Sequence, residues 1–178
     1  MIFGRNRRIR VPLFGALVAM MTVAGLWNAS PARAQAIAEF SLVLPMLIDL
    51  APVSDDTGTV LGTGDFRAWV SYHRTGLTRG DVSLRTPDFT IEIELTALDE
   101  PLYQNGDLVG VVLSGRGMAF REGRAEAFAA RVTVRGDLMN TASQSLTWDF
   151  GDNPVIPGLR ADAWGRVKVQ FHWDQRRG

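Results

Sequence analysis

The two histidines, His73 and His172, are the side chains of this sequence best suited to acid–base or metal chemistry. Imidazoles often transfer protons or bind metals, so two of them on neighbouring strands could form a pair. The sequence has no His-x-His or His-Glu-x-x-His spacing, and the alternation of the surrounding residues places each histidine on the more polar face of its strand. We therefore predict that both rings face solvent.

A second candidate is a ligand-binding patch formed by Arg67, Trp69 and His73, which alternate along the segment Phe66–His73. A tryptophan that faces outward beside a cation and an imidazole predicts a small binding surface. The alternative is that both faces of this strand are covered and Trp69 belongs to the core. The high average burial of large aromatic side chains favours that alternative.

Other motifs for chemistry are incomplete. Ser114 lacks the glycine two positions earlier that a nucleophile elbow requires, and Gly115-Arg116-Gly117 lacks the rest of a phosphate-binding loop. The segment 55–59, DDTGT, lacks the acidic spacing of a calcium loop and is interpreted as a polar loop. We predict no catalytic residue, no metal ligand and no cofactor, and we favour a non-catalytic protein over an enzyme.

The dipeptide Gly-Asp followed by an apolar residue occurs four times, at 64–66, 80–82, 106–108 and 136–138. Glycine readily adopts positive φ and Asp hydrogen-bonds to the turn that follows it, so we predict four turns. Two copies are preceded by Arg, and the resulting Arg-Gly-Asp could be an adhesion signal. Turn chemistry accounts for the whole series without one.

The N-terminus has the layout of a secretory signal peptide. A basic start of four arginines precedes an apolar run from Val11 to Leu26, and a small-x-small ending follows at Ala32 and Ala34. We predict a signal peptide over residues 1–34, cleaved after Ala34, with cleavage after Ala36 as a second choice. A retained membrane anchor is the alternative, because the apolar run approaches the roughly 20 residues that span a bilayer.

The remaining residues, 35–178, have the size of a single domain. Five of the 19 basic residues and none of the 19 acidic ones lie in residues 1–34, which leaves 14 against 19 and a net charge of −5. This balance argues against nucleic acid as a partner. Arginine outnumbers lysine 18 to 1, a usage associated with GC-rich bacterial genomes. With the signal peptide, it predicts a periplasmic or extracellular bacterial protein.

Alternation with period two dominates residues 35–178. The clearest strands are DFTIEIEL (88–95) and RVKVQFHW (166–173), each with one apolar and one polar face. Weaker strands are predicted at Phe66–His73, Leu108–Leu113, Met118–Arg121, Ala125–Arg135 and Ser145–Phe150. The segment 122–131 could instead form a short helix.

The segment 38–53 also alternates, with an apolar row at every second residue from Phe40 to Leu50. Pro45 has no N–H to donate, so this strand should be an edge strand or be interrupted there. Part of this segment could alternatively form a helix. Together these patterns predict an all-β fold, an antiparallel β-sandwich or a small β-barrel of about 7–9 strands.

Three classes of function fit these observations. The first is a non-catalytic binding module for an unknown protein or small molecule, which contacts a membrane only if the signal segment is retained. The second is a surface or assembly subunit that adds its N-terminal strand to a neighbour, or a small outer-membrane barrel. The third is a small barrel enzyme that uses His73, whose replacement by alanine should then abolish turnover.

Overall fold

A computed structural model describes residues 40–74 and 76–171, and within them the protein consists of nine β-strands and no helix. No helix there is long and apolar enough to cross a bilayer. The strands are β1 (Phe40–Ser54), β2 (Val60–His73), β3 (Gly76–Arg85), β4 (Phe89–Gln104), β5 (Asp107–Arg121), β6 (Arg124–Arg135), β7 (Ser143–Asp149), β8 (Arg160–Arg166) and β9 (Lys168–Phe171).

The strands form a closed antiparallel barrel. Each of the first seven strands pairs with its successor in the sequence, and β1 pairs with both β2 and β8, which closes the sheet on itself. The short β9 is an additional strand that pairs with the start of β1. The predicted all-β class is confirmed, and of the two predicted architectures the protein adopts the barrel. Closure leaves fewer free edges than two packed sheets would.

The prediction that Pro45 marks an edge or an interruption of its own strand is wrong. β1 continues through Pro45, which is opposite Trp69 of β2. The interruption lies instead on the side of β1 that faces β8 and β9. There β9 pairs with β1 up to Val43 and β8 pairs with β1 from Met46, and Val167 separates β8 from β9. The strand opposite a proline receives no N–H at that position, which fits a break there.

The apolar row of β1 does not run through to Leu50 as the alternation predicts. The pairing of β1 with β2 shifts register between Ile48 and Ala51. After this irregularity Ala51 and Val53 are buried, whereas Leu50 is 72 % exposed. An extra residue in one strand of a pair reverses which face the following side chains occupy.

The interior of the barrel is a packed apolar core. The core includes Trp148, whose ring centroid is 5.1 Å from that of Phe66. The largest fully buried side chains are Trp148, Phe40, Phe66, Phe150, Leu42, Leu44, Leu84, Ile91, Leu108, Leu113, Leu138 and Leu146. Core side chains therefore occupy the space that a ligand fills in wider barrels.

Connecting segments close both ends of this core. At one end the segment 150–159 folds around Asn153, whose amide nitrogen donates to the carbonyl of Ile156 at 2.7 Å and whose Oδ1 accepts from the N–H groups of Val155 and Ile156. At the other end Leu138 is buried, and its N–H donates to the carbonyl of Leu108. The one buried polar side chain in the described residues, Asn153, thus has its hydrogen bonds satisfied.

The hairpin between β5 and β6 replaces the short helix that was one prediction for 122–131. Glu122 and Gly123 both have positive φ, at 51° and 74°, and the flanking residues Arg121 and Arg124 pair with each other. These values match a two-residue type I′ turn, the geometry that suits the twist of a hairpin. Asn105 and Gly106 form an equivalent turn between β4 and β5, as the Asn-Gly pair predicts.

Two of the four Gly-Asp turn predictions are wrong. Gly64 and Gly80 lie inside β2 and β3, whereas only Gly106 and Gly136 lie at turns or bends. Gly80 is required by close packing rather than by a turn, since a Cβ there would come within 2.5 Å of the Leu95 side chain. The first Arg-Gly-Asp therefore belongs to a paired strand.

The turn between β1 and β2 is held by Asp55. Its carboxylate accepts from the Thr57 N–H and hydroxyl and from the Thr59 N–H, at 3.0, 2.6 and 2.9 Å. These bonds, led by the one from the Thr57 side chain, lower the pKa of Asp55 below 3.8. A polar loop was predicted here and is confirmed.

We expect this turn to lose its contribution to stability only at strongly acidic pH. A lowered folded-state pKa stabilises the protein above the unfolded value, and the contribution disappears as pH falls through the folded one. NMR titration of the Asp55 carboxyl should therefore give a midpoint below 3.8. The substitution Thr57→Ala, which removes the hydroxyl donor, should raise that midpoint. An unchanged midpoint in this variant would contradict the assignment.

The predictions for the first 34 residues, including cleavage at Ala32 and Ala34, lie outside the described residues, as does His172. For the predicted strand 166–173 the described part confirms the alternation. Val167 is buried and Val169 and Phe171 are half-buried, while Lys168 and Gln170 are exposed.

Candidate functional site

The described part of the chain has a wide, open trough of about 1130 Å³. It lies across the outward faces of five consecutive strands, β2 to β6. The outward residues that line it are Arg67 and Trp69 from β2, Arg79, Asp81 and Ser83 from β3, Glu92 and Glu94 from β4, Arg116 and Met118 from β5, and Ala127 and Ala129 from β6. Its volume is of the order of a small-molecule site, although it is more open than an enclosed pocket.

Trp69 forms one wall of the trough together with Arg79 and Asp81. The indole is 43 % exposed, and the Arg79 guanidinium lies 5.2 Å from the centroid of its ring. Arg79 Nε also donates to Asp81 Oδ2 at 2.7 Å, and Asp81 is opposite Trp69 in the β2–β3 ladder. A cation over an indole at an exposed site contributes about 0.5–1 kcal/mol, so Arg79 orients the ring but is readily displaced.

Four further charged side chains of the trough have no ion pair or hydrogen bond among the described residues: Arg67, Arg116, Glu92 and Glu94. Glu94 is opposite Asp81 on one side and Arg116 on the other. Two carboxylates directly opposite each other in a sheet repel one another. A ligand cation near Glu94 would relieve this repulsion.

Gly115 and Gly117 of β5 are also among the lining residues, and close packing explains both. A Cβ on Gly115 would overlap the main-chain carbonyl of Glu94, and one on Gly117 would overlap the ring of Phe128. The Gly-Arg-Gly segment therefore brings β4 and β5 close together and seats an aromatic ring, and Arg116 between the glycines points into the trough.

The structure brings together two of the three residues predicted for the ligand patch. Arg67 and Trp69 both line the trough, and the 43 % exposure of Trp69 corrects the alternative that it is core. His73 is exposed, as predicted, but lies at the end of β2 opposite Gly76. His73 is four positions after Trp69, which places it about 13 Å farther along the strand. It does not line the trough.

The residues that β3 to β6 contribute to the trough were not predicted as site residues from the sequence. One signal was present: Thr90, Glu92 and Glu94 were assigned to the polar face of their strand. The sequence does not show that β3 lies beside β2 and β4 beside β3, in a register that places Asp81 opposite Trp69 and Glu94 opposite Asp81. Only the strand order joins these residues into one surface.

The outward face of the trough carries side chains of several chemical types. It presents an aromatic ring, a thioether, unpaired charges of both signs and one hydroxyl, that of Ser83, which is opposite Glu92 in the β3–β4 ladder. Among residues 40–74 and 76–171, no group of three or more His, Asp or Glu side chains could hold a metal ion. Comparisons with protein families, with curated proteins and with solved structures find no match to this chain.

Proposed function

We propose that this protein is a non-catalytic binding module whose ligand occupies the trough on the outer face of β2–β6. The observation that carries the proposal is that one surface combines an exposed aromatic ring with charged side chains that have no ion pair. The ring is the indole of Trp69, and the charged residues are Arg67, Arg116, Glu92 and Glu94. Apolar area with a few unpaired polar groups is the usual composition of a small-molecule site. The expected ligand therefore has a planar or apolar body and polar groups at its edges.

The proposal includes export to the periplasm or the cell exterior of a bacterium. It is supported by the basic start, the apolar run and the Ala-x-Ala ending of residues 1–34. Cell fractionation with intact-mass analysis tests it. We expect a species that begins at Gln35 or Ile37 outside the cytoplasm, and a full-length species in the membrane fraction would contradict cleavage.

The distribution of polarity argues against the outer-membrane alternative. A transmembrane barrel has an apolar outer band and a polar interior. Here the interior is apolar, and charged side chains such as Asp81, Glu92 and Glu94 face outward at the middle of their strands. Placing these carboxylates in hydrocarbon would be costly.

The binding proposal is tested by screening a library of small aromatic acids, amines and sugars by ligand-observed NMR. Fragments that bind the trough should lose at least tenfold in affinity when Trp69 is replaced by alanine, because a central aromatic often dominates a binding site. Trp164→Ala is the matched control, since Trp164 is 62 % exposed and does not line the trough. Equal losses in both variants, or none in Trp69→Ala, would contradict the proposed site.

A further inference from the structure

Half of β6 has a free edge. β6 pairs with β5 along its whole length, but its pairing with β7 comprises only Thr133, Val134 and Arg135. Beyond them the chain after β7 turns away into the segment 150–159. Residues 124–130 therefore have a hydrogen-bonded strand on one side only, among the residues that the structure describes. The free edge that the sequence suggested for the N-terminal strand is thus found in β6.

The hairpin geometry identifies the unpaired main-chain groups on this edge. In a two-residue hairpin the residues that flank the turn, Arg121 and Arg124, form a hydrogen-bonded pair. Alternate residues of β6 then direct their N–H and C=O groups away from β5. On the free half these are Ala125, Ala127 and Ala129, and no described residue hydrogen-bonds to them. Groups spaced at every second residue match the repeat of an extended chain.

The side chains next to this edge leave room for those of an added strand. Ala125, Ala127 and Ala129 face outward and are opposite Phe120, Met118 and Arg116 of β5 in that order. Phe120 is 39 % and Met118 is 37 % exposed, and Arg116 has no ion pair. An added strand would lie about 10 Å from β5, with β6 between them. Because the side chains of β6 there are alanines, large side chains of the added strand and of β5 can reach each other across β6.

We propose that the edge at Ala125–Ala129 binds an extended peptide segment of a partner protein as an additional β-strand. The outward side chains of β5 determine the chemistry expected of that segment. On alternate residues it should carry two apolar side chains, which face Phe120 and Met118, and then an acidic side chain, which faces Arg116. Main-chain hydrogen bonds supply affinity in such complexes, and alternate side chains supply specificity. The inference deepens the proposed function, because Met118, Arg116, Ala127 and Ala129 belong to the trough.

Selection from a phage-displayed library of random 12-residue peptides on the purified protein tests this inference. Enriched peptides should carry the apolar-x-apolar-x-acidic pattern in either chain direction. A synthetic peptide of that sequence should bind at least tenfold more weakly to Ala127→Pro, which removes one edge N–H while leaving the β5 ladder intact. The matched control Ala127→Ser keeps the N–H and should bind within twofold of the native protein. Amide NMR shifts on binding should be largest at Ala125, Ala127 and Ala129.

A charge exchange keeps the test decisive if Ala127→Pro does not fold. Arg116→Glu should lower the affinity for the acidic peptide at least tenfold. A peptide with lysine at the acidic position should bind this variant with the lost affinity restored. No enrichment, or equal binding to native protein and Ala127→Pro, would overturn the inference. Fragments that depend on Trp69 would in that case still support the trough, so failure of the strand site and failure of the proposed function are separate results.

Discussion

Replacing Trp148 with alanine is expected to lower the free energy of unfolding by about 3–5 kcal/mol, as for large aromatic side chains in other cores. Trp148 is fully buried and packs against Phe66 at the centre of the barrel. The closed sheet around it cannot collapse into the space that the indole leaves. Urea unfolding followed by circular dichroism measures the loss without relying on tryptophan fluorescence.

Two further variants separate packing from hydrogen bonding at this position. The indole Nε1 of Trp148 is buried without a hydrogen-bond partner. Trp148→Phe removes this unsatisfied donor and keeps a ring, so we expect a loss of only about 1 kcal/mol. Trp164→Ala, at an exposed site, should change stability by about 0.5 kcal/mol or less. If Trp148→Phe destabilised the protein as much as Trp148→Ala, the indole N–H would have a partner that the structure does not show.

Gly115→Ala is expected to lower the free energy of unfolding by about 1–3 kcal/mol. The added methyl would overlap the Glu94 carbonyl and the Leu95 Cα, both of which are main-chain atoms of the neighbouring strand. They move only if β4 moves, and Glu94 of the trough would move with them. Thermal unfolding should show the loss, and trough ligands should bind more weakly to the folded variant.

Gly117→Ala is the matched control for this prediction. Its methyl would overlap the ring of Phe128, the outer end of a side chain that can rotate away. We therefore expect a smaller loss than at Gly115, although both glycines lie on the same strand and the same face. A larger loss at Gly117 would show that the Phe128 ring is less free to move than the β4 main chain.

Much of the secondary structure could be predicted because one face of each strand is buried. In 89–95 every apolar residue is buried and Glu92 and Glu94 are exposed, as the alternation predicts. The prediction failed where tertiary packing overrides local chemistry. Gly64 and Gly80 were assigned to turns but lie in strands. Glycine is needed there because the Arg85 carbonyl at Gly64 and the Leu95 side chain at Gly80 approach too closely for a Cβ.

The candidate site was only partly predictable. Arg67 and Trp69 belong to one strand, and their alternation places them on one face. Arg79, Asp81, Glu94 and Arg116 come from three other strands, and they join this surface only through the register of the ladders. Hydrophobic alternation fixes which face a residue occupies but not which strand lies beside it. The free half of β6 is likewise a consequence of where β7 turns away.

A crystal structure of the protein soaked with aromatic acid and amine fragments would test the central claim most directly, namely that this barrel binds its ligand outside a packed interior. We expect fragments on the outer face of β2–β6, in contact with Trp69 and with Arg116 or Glu94. Fragments inside the barrel, among Phe66, Trp148 and their neighbours, would contradict it, because they would show that the interior opens to admit a ligand.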